Sequence, residues 1–138
     1  MSAPTKHVSS STATIAEIQT SYSPDLDGRA DPGEIVWSWV PYEENDGRGK
    51  DRPLVIIARK GTTLYGLMLS SNPRRAGEPG WLTLGAGAWD AEHRVSYVRL
   101  DRLLELREDG IRREAAVLAK DRYDRITAAL RLDAEARS

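Results

Sequence analysis

Residues 52–70, RPLVIIARKGTTLYGLMLS, constrain the fold more than any other stretch of the chain. Leu54 to Ala58 is an unbroken apolar run, and a run without polar alternation belongs to a strand covered on both faces. Gly61 and Thr62 follow as turn residues, and Leu64 to Leu69 returns as a second apolar run. The stretch is a β-hairpin inside a sheet. Such a hairpin needs neighbouring strands and cover on both sides, so the rest of the chain must supply them.

The neighbours are readable. In Glu34 to Tyr42, EIVWSWVPY, Val36, Ser38 and Val40 share one face of a strand and Ile35, Trp37 and Trp39 the other, with Pro41 ending it. WLTLG (81–85) reads as a further strand. VSYVRLDRLLELRED (95–109) alternates at its start and runs on through Leu103, Leu104 and Leu106, while IRREAAVLA (111–119) is compatible with strand or helix. DRYDRITAALRL (121–132) is a helix, because Tyr123, Ile126 and Leu130 recur at i, i+3 and i+7 with Ala129 in the same stripe. EENDGRGKD (43–51) and NPRRAGEPG (72–80) are loops. The expectation is one mainly β domain over residues 32–133, a small barrel or open sheet capped by a C-terminal helix, with a short tail at 134–138. Residues 1–31 are dominated by Ser, Thr, Ala, Asp and Pro without a sustained period. They are expected to form a flexible acidic tail, with at most a short docked piece.

Composition narrows the chemistry. The chain has no cysteine, which excludes disulfides, thiol nucleophiles and Cys-ligated metal. Its two histidines, His7 and His93, stand far apart, so no metal and no cofactor is expected. No stretch approaches the ~18 apolar residues of a membrane span. No secretory signal pattern opens the chain, and the expected location is the cytoplasm.

Net charge is −1, but it is unevenly spread. Residues 1–31 carry Lys6 and Arg29 against Glu17, Asp25, Asp27 and Asp31, a net of −2. Residues 47–76 carry Arg48, Lys50, Arg52, Arg59, Lys60, Arg74 and Arg75 against Asp51, a net of +6. A basic region on a near-neutral protein suggests one anion-binding face, with a pair of solvated loops as the plain alternative.

Four blocks, in order, resemble one family. Pro32-Gly33-Glu34-Ile35-Val36-Trp37 is similar to the GDIVW opening of the MazF/PemK (Kid) toxins of bacterial toxin–antitoxin pairs. A polar Gly-containing loop then leads to Arg52-Pro53 and an apolar strand, as in the family's G-x-RP-x-x-V-I pattern. Ser70 ends the next strand where the family has Thr or Ser. SYVRLDRLLEL resembles the family's S-x-V-x-x-D-Q-I-R-x-I segment, with Ser96 and Asp101 in register. The resemblance covers roughly residues 32 to 132. It implies an SH3-like β-barrel, a homodimer, sequence-selective cleavage of single-stranded RNA without metal, and an antitoxin protein that blocks the RNA site. The Glu-Gln pair that usually precedes the Arg-Pro is absent here.

Metal-free RNA cleavage uses the ribose 2′-OH as nucleophile on the adjacent phosphate. The products are a 2′,3′-cyclic phosphate and a 5′-OH. The protein must stabilise a dianionic phosphorane, a task suited to the planar fork of arginine. Arg52 sits before the fixed φ of Pro53 at the mouth of a buried strand, and Ser70 ends the neighbouring strand, so these two are the candidate catalytic pair. Glu44 and Asp46 are the candidate general bases. Arg48, Lys50, Arg74 and Arg75 flank the pair and are candidate RNA-backbone contacts. Trp37, Trp39, Trp81 and Trp89 suit core and subunit contacts, with base stacking as their functional alternative. Two other readings stand beside this one: a family member that binds RNA or antitoxin without cutting, and a CcdB-like gyrase-binding toxin. The chain ends LDAEARS and lacks the Trp-Gly-Ile terminus that carries the CcdB activity.

Overall fold

The computed structural model describes residues 8–11, 18, 20, 22–23, 31–42 and 46–137, with backbone alone for 110 and 112–115. Among these residues eight strands precede one α-helix: β1 (Val8–Ser10), β2 (Glu34–Pro41), β3 (Gly49–Lys60), β4 (Thr63–Ser70), β5 (Trp81–Gly85), β6 (Ser96–Arg99), β7 (Leu104–Arg107), β8 (Ile111–Val117) and α1 (Lys120–Arg137). All pairings are antiparallel, and the main order is β1-β7-β4-β3-β2-β8. The long β4 meets β7 along Thr63–Gly66 and then β6 at Leu69 and Ser70, and β6 in turn carries β5.

The hairpin is central, as its apolar run requires. Leu54 and Ile56 enter one core with Val36, Val40, Leu64, Met68, Leu104 and Leu106. Val55 and Ile57 point the other way, into a core with Ile35, Leu67, Leu69, Val98 and the helix residues Tyr123, Ile126 and Leu130. A bulge between Ile56 and Ala58 leaves Ile57 without a partner residue on β4. The buried Tyr123 hydroxyl donates to the Ile57 carbonyl at 2.6 Å, so the helix satisfies a group that the bulge leaves out.

Several expectations need correction. β1 and β8 end the strand order without pairing to each other, so the sheet is not closed among the described residues and the barrel becomes an open antiparallel sheet. β3 starts at Gly49 rather than Arg52, because Gly49 and Lys50 pair with Pro41 and Val40. A Cβ at Gly49 would overlap the Trp39 ring and the Val40 carbonyl, so glycine permits that close pairing. Residues 95–109 hold two strands, β6 and β7, broken at Leu100–Leu103, and the ambiguous 111–117 is strand. The helix runs on to Arg137, through most of the segment expected as a C-terminal tail, with Arg137 Nε on Asp133 Oδ2 at 2.8 Å.

The described parts of residues 1–31 are also docked rather than free. Val8 is buried, and β1 completes the edge of β7. Ile18 joins the helix-side core and Thr20 bridges to Ala58. Tyr22 packs on Tyr123 with ring centroids 5.3 Å apart and donates to the Leu118 carbonyl at 2.7 Å. A few anchors separated by polar residues leave no periodic signature, which is why the segment reads as a tail.

Candidate functional site

The β3–β4 register pairs Leu54 with Met68. Continued two residues further along each strand, it sets Arg52 beside Ser70. On its other side Arg52 pairs with Ser38 and Pro53 with Trp37. Arg52 and Ser70 line one cleft of about 510 Å³, together with Trp37, Lys50, Pro53 and Leu69, residues 71–73, Arg75, and a third segment bearing Trp89, Asp90, Arg94 and Ser96. The volume lies in the range of ligand-binding pockets.

Arg52 is half-buried and has no ion-pair partner among the described residues. Burial, together with the nearby positive charges of Arg75 and Arg99, holds its guanidinium below the usual arginine value, opposed in part by Tyr42. A desolvated cation among like charges is costly by itself and is relieved by a bound anion. Ser70 Oγ accepts from the Asn72 amide at 3.2 Å, and its hydroxyl proton can still be donated into the cleft. Asn72 then caps the 3-10 turn Pro73–Arg75 by accepting from the Arg74 amide at 3.1 Å. This turn brings Arg75 to the cleft, where Glu78 Oε2 at 3.0 Å and the Trp81 ring at 4.9 Å hold its guanidinium.

The other expected residues are placed differently. Lys50 is exposed and lines the cleft, whereas Arg74 sits on the turn outside the lining. Asp46 and Arg48 also lie outside it and pair with each other, at 2.7 Å from Arg48 Nη2 to Asp46 Oδ2. The hydrogen bonds from Arg48 hold the Asp46 carboxyl below its ordinary range, which makes it a weaker base. Glu44 lies outside the described residues. Of the tryptophans, Trp89 is buried, Trp37 lines the cleft and Trp81 backs Arg75. His93 is exposed.

Sequence reasoning missed the third wall. Residues 86–95 pass behind the cleft because β6 returns beside the end of β4, with Ser70 opposite Tyr97. Trp89 donates its Nε1 proton to Ser96 Oγ at 2.9 Å, and its ring lies so close over Gly87 that any Cβ there would overlap it. From the helix side Arg122 donates to the Ala86 carbonyl at 2.8 Å, with its guanidinium 5.8 Å from the Trp89 ring. Asp90 is nearly buried and accepts the amide protons of Glu92 and Arg94 at 3.1 and 3.2 Å. The same carboxylate takes the Arg94 side chain through Nε at 2.8 Å and Nη2 at 3.3 Å. The Arg94 hydrogen bonds hold Asp90 below the ordinary carboxylate range, and Arg94 is correspondingly raised. Among the described residues the lining holds four cations against one carboxylate. Its field suits an anion.

The model of the PemK-like, MazF-like toxins of type II toxin–antitoxin systems matches residues 31–132, about three quarters of the chain and the whole of the cleft. This chain belongs to the PemK/MazF toxin family. Solved structures agree on the fold. MazF from Deinococcus radiodurans superposes with a TM-score of 0.57 at 19% identity, covering 78% of this chain and 94% of that one. The MazE–MazF structure from the same organism gives 0.55 at 20%, covering 73% and 91%. A mycobacterial endoribonuclease in complex with its cognate antitoxin gives 0.56 at 16%, covering 73% and 90%. No curated protein matches the chain. As a PemK/MazF member it has a mainly β fold with a C-terminal helix, and no described helix is long and apolar enough to cross a membrane.

Proposed function

We propose that this toxin is an endoribonuclease that cuts single-stranded RNA by attack of the 2′-OH on the adjacent phosphate. The observation that carries the reading is Arg52: a half-buried guanidinium without an ion-pair partner among the described residues, in a cationic cleft beside Ser70. A phosphodiester seated there would satisfy the fork bidentately. The equatorial oxygens of the phosphorane gain more charge than the ground-state phosphate, so the same bonds strengthen in the transition state. Ser70 Oγ–H adds a neutral donor to a non-bridging oxygen, and Lys50 and Arg75 hold the flanking backbone. The substrate brings its own nucleophile, so the protein's part is to hold the 2′-oxygen in line and stabilise charge. The protein named as an endoribonuclease among the similar structures supports this activity, and the antitoxin complexes support an antitoxin partner for this chain. The family resemblance supports a homodimer and independence from metal.

One observation favours a second reading, that of a family member which binds RNA without cutting it. Among the described residues Asp90 is the one carboxylate in the cleft lining, and it is committed to Arg94, so no general base stands out among them. Incubation of the purified protein and its Arg52→Ala variant with long single-stranded RNA, with and without EDTA, decides between the two. Discrete cuts by the parent in EDTA and none by Arg52→Ala support the nuclease. Binding without cuts supports the second reading.

A further inference from the structure

We propose that Arg94, held by the carboxylate of Asp90, is a second phosphate-binding fork of the cleft, which takes the RNA backbone at a nucleotide next to the one on Arg52. The inference rests on the nuclease reading and deepens it by assigning how the strand is held in register.

The geometry is that of a positioned group rather than a loose surface charge. Arg94 lies on an exposed loop, and its side chain is 56% exposed, yet Asp90 fixes it from behind. One edge of the guanidinium, Nε and Nη2, is taken by the two Asp90 oxygens at 2.8 and 3.3 Å, and Glu92 Oε2 lies 3.3 Å from the same Nε. That leaves Nη1 with no hydrogen bond among the described residues, on a side chain that lines the cleft. Asp90 is in turn immobilised by the amides of Glu92 and Arg94, and the neighbouring Trp89 is pinned by Ser96 and by the approach of Arg122. An arginine whose rotamers are already restricted loses less entropy on gripping a ligand than a free one.

The chemistry selects the ligand. Lys50 and Arg52 stand on β3, and Arg94 stands on the separate 86–95 segment of the same cleft. Cations on two walls suit a chain of repeated anions better than a single small anion, and a nucleic acid backbone is such a chain. Arg52 meets the reacting phosphate in the proposed reaction. Arg94 then contributes to binding and not to the chemical step, and Asp90 acts through it as a positioning residue.

The test measures affinity for single-stranded RNA by fluorescence anisotropy across a salt series, with 2′-deoxyribose at the cut where the parent protein cuts the strand. Arg94→Ala should weaken binding about tenfold and make the salt slope shallower by about 0.7. In cleavage assays it should raise KM by a similar factor while kcat stays within about threefold. Asp90→Asn distinguishes a positioned fork from a diffuse charge by the sign of its effect. Removing a negative charge from the cleft would tighten RNA binding if Arg94 acted only through the field, whereas release of the fork weakens it. The expected result is weaker binding with an unchanged slope, since the Arg94 charge is still present. In Arg94→Ala the Asp90 carboxylate keeps its two backbone amide donors, a thermal melt checks the fold, and unchanged affinity of the folded variant overturns the assignment. Tighter binding by folded Asp90→Asn overturns the positioning role. A parent protein that neither binds nor cuts RNA overturns the underlying reading and this one with it, whereas a parent that binds RNA equally well without Arg94 overturns this one alone.

Discussion

Replacing Arg52 by alanine should separate activity from stability in a way that few core-adjacent substitutions do. Arg52 is half-buried, lacks an ion-pair partner among the described residues, and feels the positive charges of Arg75 and Arg99. Its removal breaks no salt bridge among the described residues and lowers the repulsion in the cleft, against the loss of some stem packing on its neighbours. These effects oppose each other, so the thermal midpoint should hold within about 3 °C of the parent, a shift that corresponds to less than about 1 kcal/mol for a domain of this size. Activity should behave differently. Removing one preorganised donor from a site of developing negative charge costs about 2.7–4 kcal/mol, or a factor of 10²–10³ in kcat. Loss of the bidentate partner places Arg52→Ala at or beyond the upper end. Arg52→Lys keeps the charge without the fork, so it should recover binding far more than turnover. The assay is cleavage of a single-stranded RNA under single-turnover conditions, paired with a thermal melt of each variant. A parent-like rate for Arg52→Ala would refute the assignment. A fall in midpoint above about 6 °C would show that Arg52 is structural instead.

Other outcomes follow from the packing. Tyr123→Phe leaves the bulged Ile57 carbonyl buried and without its donor, and should cost about 1–3 kcal/mol in a denaturant melt. Deletion of residues 1–23 removes the buried Val8 and Ile18 and the Tyr22–Leu118 hydrogen bond, and should lower the thermal midpoint by about 3–10 °C once the regained chain entropy is subtracted. An unchanged midpoint would return this segment to the status of a tail. Gly87→Ala forces the Trp89 ring off its Ser96 partner, and should change tryptophan fluorescence while weakening RNA binding.

The hairpin was legible in the sequence because Leu54–Ala58 does not alternate, and a strand covered on both faces has few places in a sheet. The helix was legible from Tyr123, Ile126 and Leu130, all of which are buried. Arg52 beside Ser70 follows from the hairpin alone, since both residues lie at its open end. The Trp89–Ser96 wall was not legible, because its place depends on β6 returning to β4, a pairing distant in sequence. The one local signal there was Asp90 four residues before Arg94, a spacing that also suits an ordinary surface pair. Asp46, near Arg52 in sequence, turns out to Arg48 once β3 extends back to Gly49. The docked N-terminal anchors are single residues, and single apolar residues in a polar segment carry no period.

The most direct test of the central claim uses one strand of RNA with a single 2′-deoxy nucleotide. Only the ribose 5′ to the cut supplies the attacking oxygen in the proposed reaction. A deoxy sugar there should stop cleavage while changing affinity little, because backbone phosphates dominate binding. The same substitution one nucleotide away should leave the rate within a few-fold of the parent strand, about 1 kcal/mol or less. Products of the unmodified strand should carry a 2′,3′-cyclic phosphate and a 5′-OH, in the presence of EDTA. Cleavage of the strand with 2′-deoxyribose at the cut, or products ending in 5′-phosphate, would contradict the account.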